Sequence, residues 1–169
     1  MNEADFIRSI RKTWQYLDGI GLVELFSNPA PLRASDEFKA AALDASSHYE
    51  QVYLTGLRYR DYNLLLSDYS FFQFGRYDQG TRAAYYPNPF FGASLDAMKT
   101  LGEQHEYLSE GLISMETFLH EASELQASQK PPPVRYEFHP DARVELRHPA
   151  SHLHIGHHAE NRWPLERVL

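Results

Sequence analysis

Apolar side chains recur at intervals of three and four residues near the start of the chain. Between Glu3 and Asp18 this spacing predicts an amphipathic helix, which Gly19 and Gly21 end. The apolar positions of this helix are Phe6, Ile7, Ile10, Trp14 and Leu17. The stretch from Ser27 to Arg33 contains two prolines and is expected to be a loop.

Two later regions also show helical periodicity. The first runs from Ser35 to Leu57, with the Ser35 side chain as N-cap, and whether it breaks at Ser46 and Ser47 is left open by the pattern. The second is a central helical region over residues 94 to 125. Two glycines in this region, Gly102 and Gly111, weaken the helix.

Between and after the helical regions, the pattern changes to that of strands. The aromatic stretch from Tyr62 to Gly75 has a polar interruption and predicts two strands, and a third is expected from Thr81 to Tyr86. Val134 to Phe138 alternates apolar and polar residues as a half-buried strand does. Shorter strands are expected from Val144 to Leu146 and from Leu153 to Gly156.

Histidines alternate with apolar residues in and just before the last of these strands. Because successive side chains of a strand point to opposite faces, His152 and His154 should share one face. Leu153 and Ile155 should then face the core. The aromatic residues of the earlier strands are likewise expected to be core rather than a base-stacking platform. Asp68 is expected to bond to its own turn.

Length and composition fit a single domain spanning residues 1–169. The chain of 169 residues is 43% hydrophobic, which is enough to close a core. The order of elements predicts an α+β fold with N-terminal helices, an antiparallel sheet, a central helical region and C-terminal strands of the same sheet. No membrane span or export signal is visible, and the absence of cysteine fits a reducing compartment, so we expect a cytoplasmic protein.

Charge is unevenly distributed along the chain. The formal net charge is −7, but residues 130–169 hold six Lys and Arg against five Asp and Glu, together with six of the nine histidines. An acidic body argues against non-specific binding to duplex nucleic acid, while the C-terminal region tolerates an anionic ligand.

This C-terminal region also holds the candidate chemistry. Imidazoles transfer protons near neutral pH, and guanidinium groups make paired hydrogen bonds to phosphate. Such a set suits general acid and base catalysis on a phosphodiester without a metal. The candidate catalytic residues are Arg135, Glu137, His148, His152 and Arg162.

A metal site is the alternative interpretation of the same histidines. His152 and His154 could both ligate zinc, with His148 or Glu137 completing the set. Short histidine clusters are common on solvated loops, and the chain has neither cysteine nor an HExxH helix. The sequence therefore predicts no metal and no cofactor.

Several segments resemble a known family. The run HPASHLHIG at His148–Gly156, followed by RWP at Arg162–Pro164, resembles the C-terminal signature of the bacterial family called domain of unknown function 2290. Other landmarks of that family are similar to SFFQFGRYD, RAAYYPNP and VRYEF, in the same order. The resemblance covers about residues 45–165 and implies an α+β fold, but no activity.

The resemblance also bears on individual residues. It picks out His148, Ser151, His152, Gly156 and Arg162, and it leaves His154 and His157 outside the motif. Members of the family continue past the Arg-apolar-Pro motif, so a C-terminal element is expected to be missing here.

Two functions from different classes follow from these observations. One is a metal-independent, RNase-like phosphodiesterase, as in a toxin or defence effector, in which His148 and His152 exchange protons and Arg135 or Arg162 holds the phosphate. The other is a non-catalytic protein-binding subunit of a multi-component bacterial system. RNA is the partner in the first case, and another protein or a second copy of the chain in the second.

The apolar C-terminal residues predict association with another chain. Trp163, Leu165, Val168 and Leu169 have no following element to cover them. Light scattering at increasing protein concentration is expected to show a mass above that of one chain. A monomer at high concentration in which these side chains are packed internally would contradict the prediction.

Overall fold

The computed structural model describes residues 2–77, 80–90, 95–123, 132–144, 149–156 and 162–165. Within these ranges the fold is α+β, as the sequence predicts. The helices are α1 (Glu3–Gly19), α2 (Asp36–Leu43), α3 (Tyr49–Arg58), α4 (Leu95–Ser109) and α5 (Met115–Ser123). The strands are β1 (Val23–Phe26), β2 (Leu64–Leu66), β3 (Phe71–Arg76), β4 (Thr81–Tyr86), β5 (Val134–Phe138), β6 (Ser151–Ile155) and β7 (Arg162–Pro164).

The strands form one antiparallel sheet in which each pairs with the next along the chain, in the order β1-β2-β3-β4-β5-β6-β7. Adjacent antiparallel strands need only short connections, except where helices intervene between them. The hydrophobic pattern predicts neither β1 nor β7. The expected strand from Val144 to Leu146 lies mostly outside the described residues, since only Val144 is described.

The chain divides into two compact units. The first comprises Met1–Arg33, Tyr62–Tyr86 and Pro132–Leu169, and therefore holds α1 and the whole sheet. The second comprises Ala34–Asp61 and Pro87–Pro131, and holds the other helices. In that second unit α2 packs against α3, α3 against α4, and α4 against α5.

The helix α1 packs its apolar face on one side of the sheet. Phe6 and Ile10 are buried against Leu64 and Phe74, as the helical spacing predicts. Farther along, the ring of Trp14 stacks on Phe26 with centroids 4.6 Å apart. The Asn2 side chain caps the helix by accepting the backbone N–H of Asp5.

The region from Ser35 to Leu57, which shows helical periodicity, forms two helices rather than one. The Ser35 hydroxyl accepts the backbone N–H of Phe38, so Ser35 is the N-cap predicted from the sequence. The same hydroxyl donates to the carboxylate of Asp61, at 2.6 Å. The helix α2 ends at Leu43, where the carboxylate of Asp44 accepts the backbone N–H of Ser46. A side chain that bonds to the backbone in this way competes with helix continuation.

The central helical region is also divided. Gly111 has φ +74°, a left-handed conformation that glycine adopts without strain, and it separates α4 from α5. Gly102, the other glycine expected to weaken this region, lies inside α4. Among the described residues, no helix is both long and apolar enough to cross a bilayer.

Asn63 joins the sheet to the loop that precedes α2. Its side-chain amide donates to the carbonyls of Asn28 and Ala30, both at 2.8 Å, and its side-chain oxygen accepts the backbone N–H of Phe74 at 2.7 Å. The residue is fully buried. One side chain therefore satisfies three backbone groups that would otherwise lack partners away from water.

Replacing Asn63 with alanine should lower the free energy of unfolding by about 2 to 4 kcal/mol, because it leaves these three backbone groups without their partner. Urea unfolding followed by circular dichroism measures the loss. The matched control is Asn28→Ala, which removes an exposed hydrogen bond to Ala30 and should cost less than about 1 kcal/mol. Equal losses in the two variants would contradict this role.

Candidate functional site

Polar and charged side chains form two cross-strand rows on one face of the sheet. In the first row the register pairs Arg82 with Glu137, and Glu137 with His152. In the second row Arg135 is opposite His154, and His154 is opposite Arg162. Partners in an antiparallel register point to the same side, so all six side chains share the face opposite α1.

The alternation of β6 is as predicted, but its burial is the reverse of the expectation. His152 and His154 are 0% and 1% exposed, whereas Leu153 and Ile155 are only half-buried. The expectation that Leu153 and Ile155 would be the core residues was therefore wrong. A period-two pattern shows that the two faces of a strand differ, and does not show which one is covered.

Glu137 lies at the centre of the two rows. Its Oε1 is 2.9 Å from the Nε of Arg135, and its Oε2 is 3.4 Å from the Nε2 of His152 and 3.6 Å from the Nε2 of His154. Burial works to raise the pKa of Glu137, but nearby His154 and the charge of Arg135 outweigh it and lower the pKa to about 2. The carboxylate is thus ionised at neutral pH.

Both ring nitrogens of His152 have defined neighbours. Its Nδ1 is 3.1 Å from the carbonyl of Pro149, and a carbonyl can only accept a hydrogen bond. The Nδ1 must therefore carry a hydrogen. Burial lowers the pKa of His152, so the neutral form, with an unprotonated Nε2, is favoured.

Positive charge exceeds negative charge on this face. Glu137 is the single carboxylate among the described residues of β3 to β7, while Arg82, Arg135 and Arg162 all point to its side. Arg82 donates to the hydroxyl of Tyr86 at 2.8 Å. The Nε atoms of Arg82 and Arg162 are buried, and neither has a hydrogen-bond partner among the described residues.

These six side chains, which form one polar cluster on the sheet, include three of the residue types that bind metal ions. One donor atom each from Glu137, His152 and His154 lies within 4.8 Å of the other two. The sequence allows such a set, and its expectation of a metal-free site rests on the commonness of histidine clusters in solvated loops. The structure supplies Glu137 as the third member, which is one of the two completions that the sequence allows.

The comparison with family models assigns the chain to a family. Residues 30–169 match the model described as "Uncharacterized conserved protein (DUF2290)". The chain belongs to the DUF2290 family. No curated protein and no solved structure matches it. The matched region contains β2 to β7, so the whole polar face lies in the DUF2290 part of the chain, whereas α1 and β1 precede it.

Within this DUF2290 region, the structure brings together most of the residues that the sequence singles out. Arg135, Glu137 and His152 are in contact through the carboxylate, and Arg162 is in register with His154. His148 lies outside the described residues. The turn interpretation of Asp68 is confirmed, because its carboxylate accepts the backbone N–H of Ser70.

Two members of the cluster are missing from the predicted catalytic set. His154 is expected on the same face as His152, but it lies outside the family motif. Arg82 lies in the segment RAAYYPNP, which is a landmark of the resemblance and carries no predicted role. The residues next to Arg82 do not indicate that it lies opposite Glu137, because about 55 residues separate the two in the sequence.

Replacing Glu137 with glutamine should lower the free energy of unfolding by about 1 to 3 kcal/mol, because the arginines of this face then lose their counter-charge. The effect is limited by the exposure of Glu137 and Arg135, whose side chains are each 25% accessible. Urea unfolding in buffer without added metal or phosphate measures it. Glu103→Gln, an exposed residue of α4, is the control and should change stability little.

A double variant tests whether the loss arises from this ion pair. Combining Glu137→Gln with Arg135→Met should cost less than the sum of the two single losses, by at least about 0.5 kcal/mol. Strictly additive losses would show that the two residues do not act together.

Proposed function

We propose that this protein binds the phosphate backbone of RNA at the polar sheet face and cleaves it, as an RNase-like phosphodiesterase. The single observation that supports this most is the charge of that face, which three arginines share with one carboxylate. Since burying unpaired charge is costly, an anion is the natural ligand of such a site.

The second row gives the most suitable position for a phosphate. Arg135 and Arg162 flank His154 on the neighbouring strands, so about 10 Å separates their backbones. Two arginine side chains can reach a common phosphate across that distance, and each can bind it through two N–H groups. The Nε of Arg162 is buried and has no hydrogen-bond partner among the described residues, so an anion that reached it would satisfy that donor.

The first row supplies what cleavage needs, a group that activates an attacking oxygen at neutral pH. His152 presents an unprotonated Nε2 beside an ionised carboxylate. Such a nitrogen can accept a proton from the oxygen directly, or it can hold a cation that acidifies that oxygen. RNA is the preferred substrate because its 2′-hydroxyl provides an attacking oxygen next to the phosphate.

One observation favours the non-catalytic alternative. His152 and His154 are almost completely buried, as expected for residues that join strands rather than meet a substrate. The protein would then be a binding subunit, and Trp163, which is 60% exposed on the last strand, would be a contact for its partner. The phosphodiesterase proposal relies instead on the exposure of the Arg135 and Glu137 side chains, each 25% accessible, through which a substrate would reach the polar face.

Cleavage of a labelled single-stranded RNA, with DNA of the same sequence as the comparison, tests the proposal. We expect His152→Ala to slow cleavage by roughly a hundredfold or more, since it removes the group that activates the attacking oxygen. Arg162→Lys should reduce it at least about tenfold, because an ammonium group cannot replace the paired hydrogen bonds of a guanidinium. Arg11→Lys, on the exposed side of α1, should cleave like the wild type.

Thermal melts of the same variants separate the two functions. If His152→Ala and Arg162→Lys melt like the wild type and yet lose cleavage, the residues act on the substrate. If activity falls only in proportion to lost stability, or if the wild type cleaves neither RNA nor DNA, the phosphodiesterase proposal is wrong and the binding-subunit function is favoured.

A further inference from the structure

We propose that Glu137, His152 and His154 bind one divalent transition-metal ion, with zinc as the best fit to their donor atoms. Two imidazole nitrogens and one carboxylate oxygen form a common zinc ligand set, and three protein ligands leave a coordination position for water. The ion would lie between β5 and β6, over the Glu137–His152 pair of the register.

The two separations between Glu137 and the histidines suit a shared ion, and all three donor atoms lie within 4.8 Å of one another. Ligands bound to zinc at its usual distances lie roughly 3.4 Å from one another in a tetrahedral arrangement. The Oε2 of Glu137 is 3.4 Å from the Nε2 of His152 and 3.6 Å from the Nε2 of His154. These distances are long for hydrogen bonds but close to those of two atoms that hold the same cation.

The hydrogen bond at His152 supports the same conclusion. Its Nδ1 is 3.1 Å from the carbonyl of Pro149 and donates to it, so Nε2 is the ring nitrogen directed at Oε2 of Glu137, at 3.4 Å. A single metal ion coordinated by both atoms would fit between them at that separation. A backbone carbonyl on the other ring nitrogen is also the usual outer partner of a metal-binding histidine.

His154 provides an independent observation. The residue is 1% exposed, and neither of its ring nitrogens has a hydrogen-bond partner within bonding geometry in the described part of the chain. A buried imidazole without hydrogen bonds is costly. Its Nε2 is directed at the same oxygen of Glu137 as that of His152, so one ion at this oxygen would lie within reach of both imidazoles and would give His154 the partner it lacks among the described residues.

Arg135 leaves one oxygen of Glu137 available for the ion. Its Nε lies 2.9 Å from Oε1, whereas the histidines approach Oε2. The ion would therefore be bound through Oε2 alone, with Arg135 orienting the ligand. The 25% exposure of the Glu137 side chain gives water access to the open position.

The metal site does not depend on the proposed RNA cleavage. It would stand in a protein that only binds a partner, where the ion would join β5 to β6. If the protein does cleave RNA, the ion would lower the pKa of a bound water or 2′-hydroxyl, whose proton would pass to solvent, and the imidazoles would be its ligands rather than the proton acceptors.

Metal analysis of the full chain, purified with its affinity tag removed, is the direct test. After chelation and dialysis, titration with zinc chloride in a calorimeter should show one ion bound per chain. Cobalt(II) in its place should give the intense visible bands of a four- or five-coordinate site. A folded wild type that takes up no zinc, or only the weak cobalt spectrum of six-coordinate hydrated ions, would overturn the proposal.

Variants assign the ion to these residues. Glu137→Gln, which keeps the side-chain volume, and His154→Ala should each lose stoichiometric zinc, and Arg135→Met should weaken binding about ten- to a hundredfold. The control is the double variant His157→Gln with His158→Gln, which should bind as the wild type does. Zinc retained in Glu137→Gln, or lost in the double variant, would overturn the assignment.

Two controls keep the result interpretable. Circular dichroism checks that each variant is folded, and Glu137→Gln decides the assignment if His154→Ala does not fold. Because zinc is measured without substrate, inactivity toward RNA leaves a positive result intact. Metal-free wild type that cleaves RNA at its full rate and binds no added zinc would overturn the metal site and leave the phosphodiesterase standing.

Discussion

The carboxylate of Glu137 is the group on which the polar half of the sheet depends. Arginines and histidines from β4 to β7 share one sheet face with it, and among the described residues of β3 to β7 it is the one acidic side chain. Each of its oxygens serves a different neighbour, Oε1 the guanidinium of Arg135 and Oε2 the two imidazoles. A half-buried sheet face of this composition is tolerable because that charge is present and ionised.

Local elements of the fold could be predicted from the sequence because their causes are local. The spacing of Phe6 and Ile10 defines the buried side of α1, and the Ser35 hydroxyl marks the start of α2. The strands β1 and β7 could not be predicted in this way, because they are four and three residues long and stand next to glycines or contain a proline. Both are held by pairing with a neighbouring strand rather than by a pattern of their own.

Part of the site was also predictable because it depends on local structure alone. Alternation along β5 and β6 places Arg135 with Glu137 and His152 with His154, and this needs only the direction of side chains on one strand. The pairing of Arg82 with Glu137 depends on register between strands far apart in sequence, which a single sequence does not reveal. The burial of the histidines also depends on tertiary structure, so the hydrophobicity of Leu153 and Ile155 was a misleading guide.

Zinc and phosphate, the two ligands proposed for this face, should each raise the affinity of the protein for the other. A divalent cation bound to Glu137 would neutralise the negative charge that is paired with Arg135. It would also add positive charge beside Arg162. The cost of that excess falls when an anion binds next to it, so phosphate affinity should rise with metal and metal affinity with phosphate, by the same factor. A purely structural network binds neither ligand and has no such coupling. Reciprocal enhancement of zinc and phosphate binding is therefore the property that would unite the cluster as one functional site.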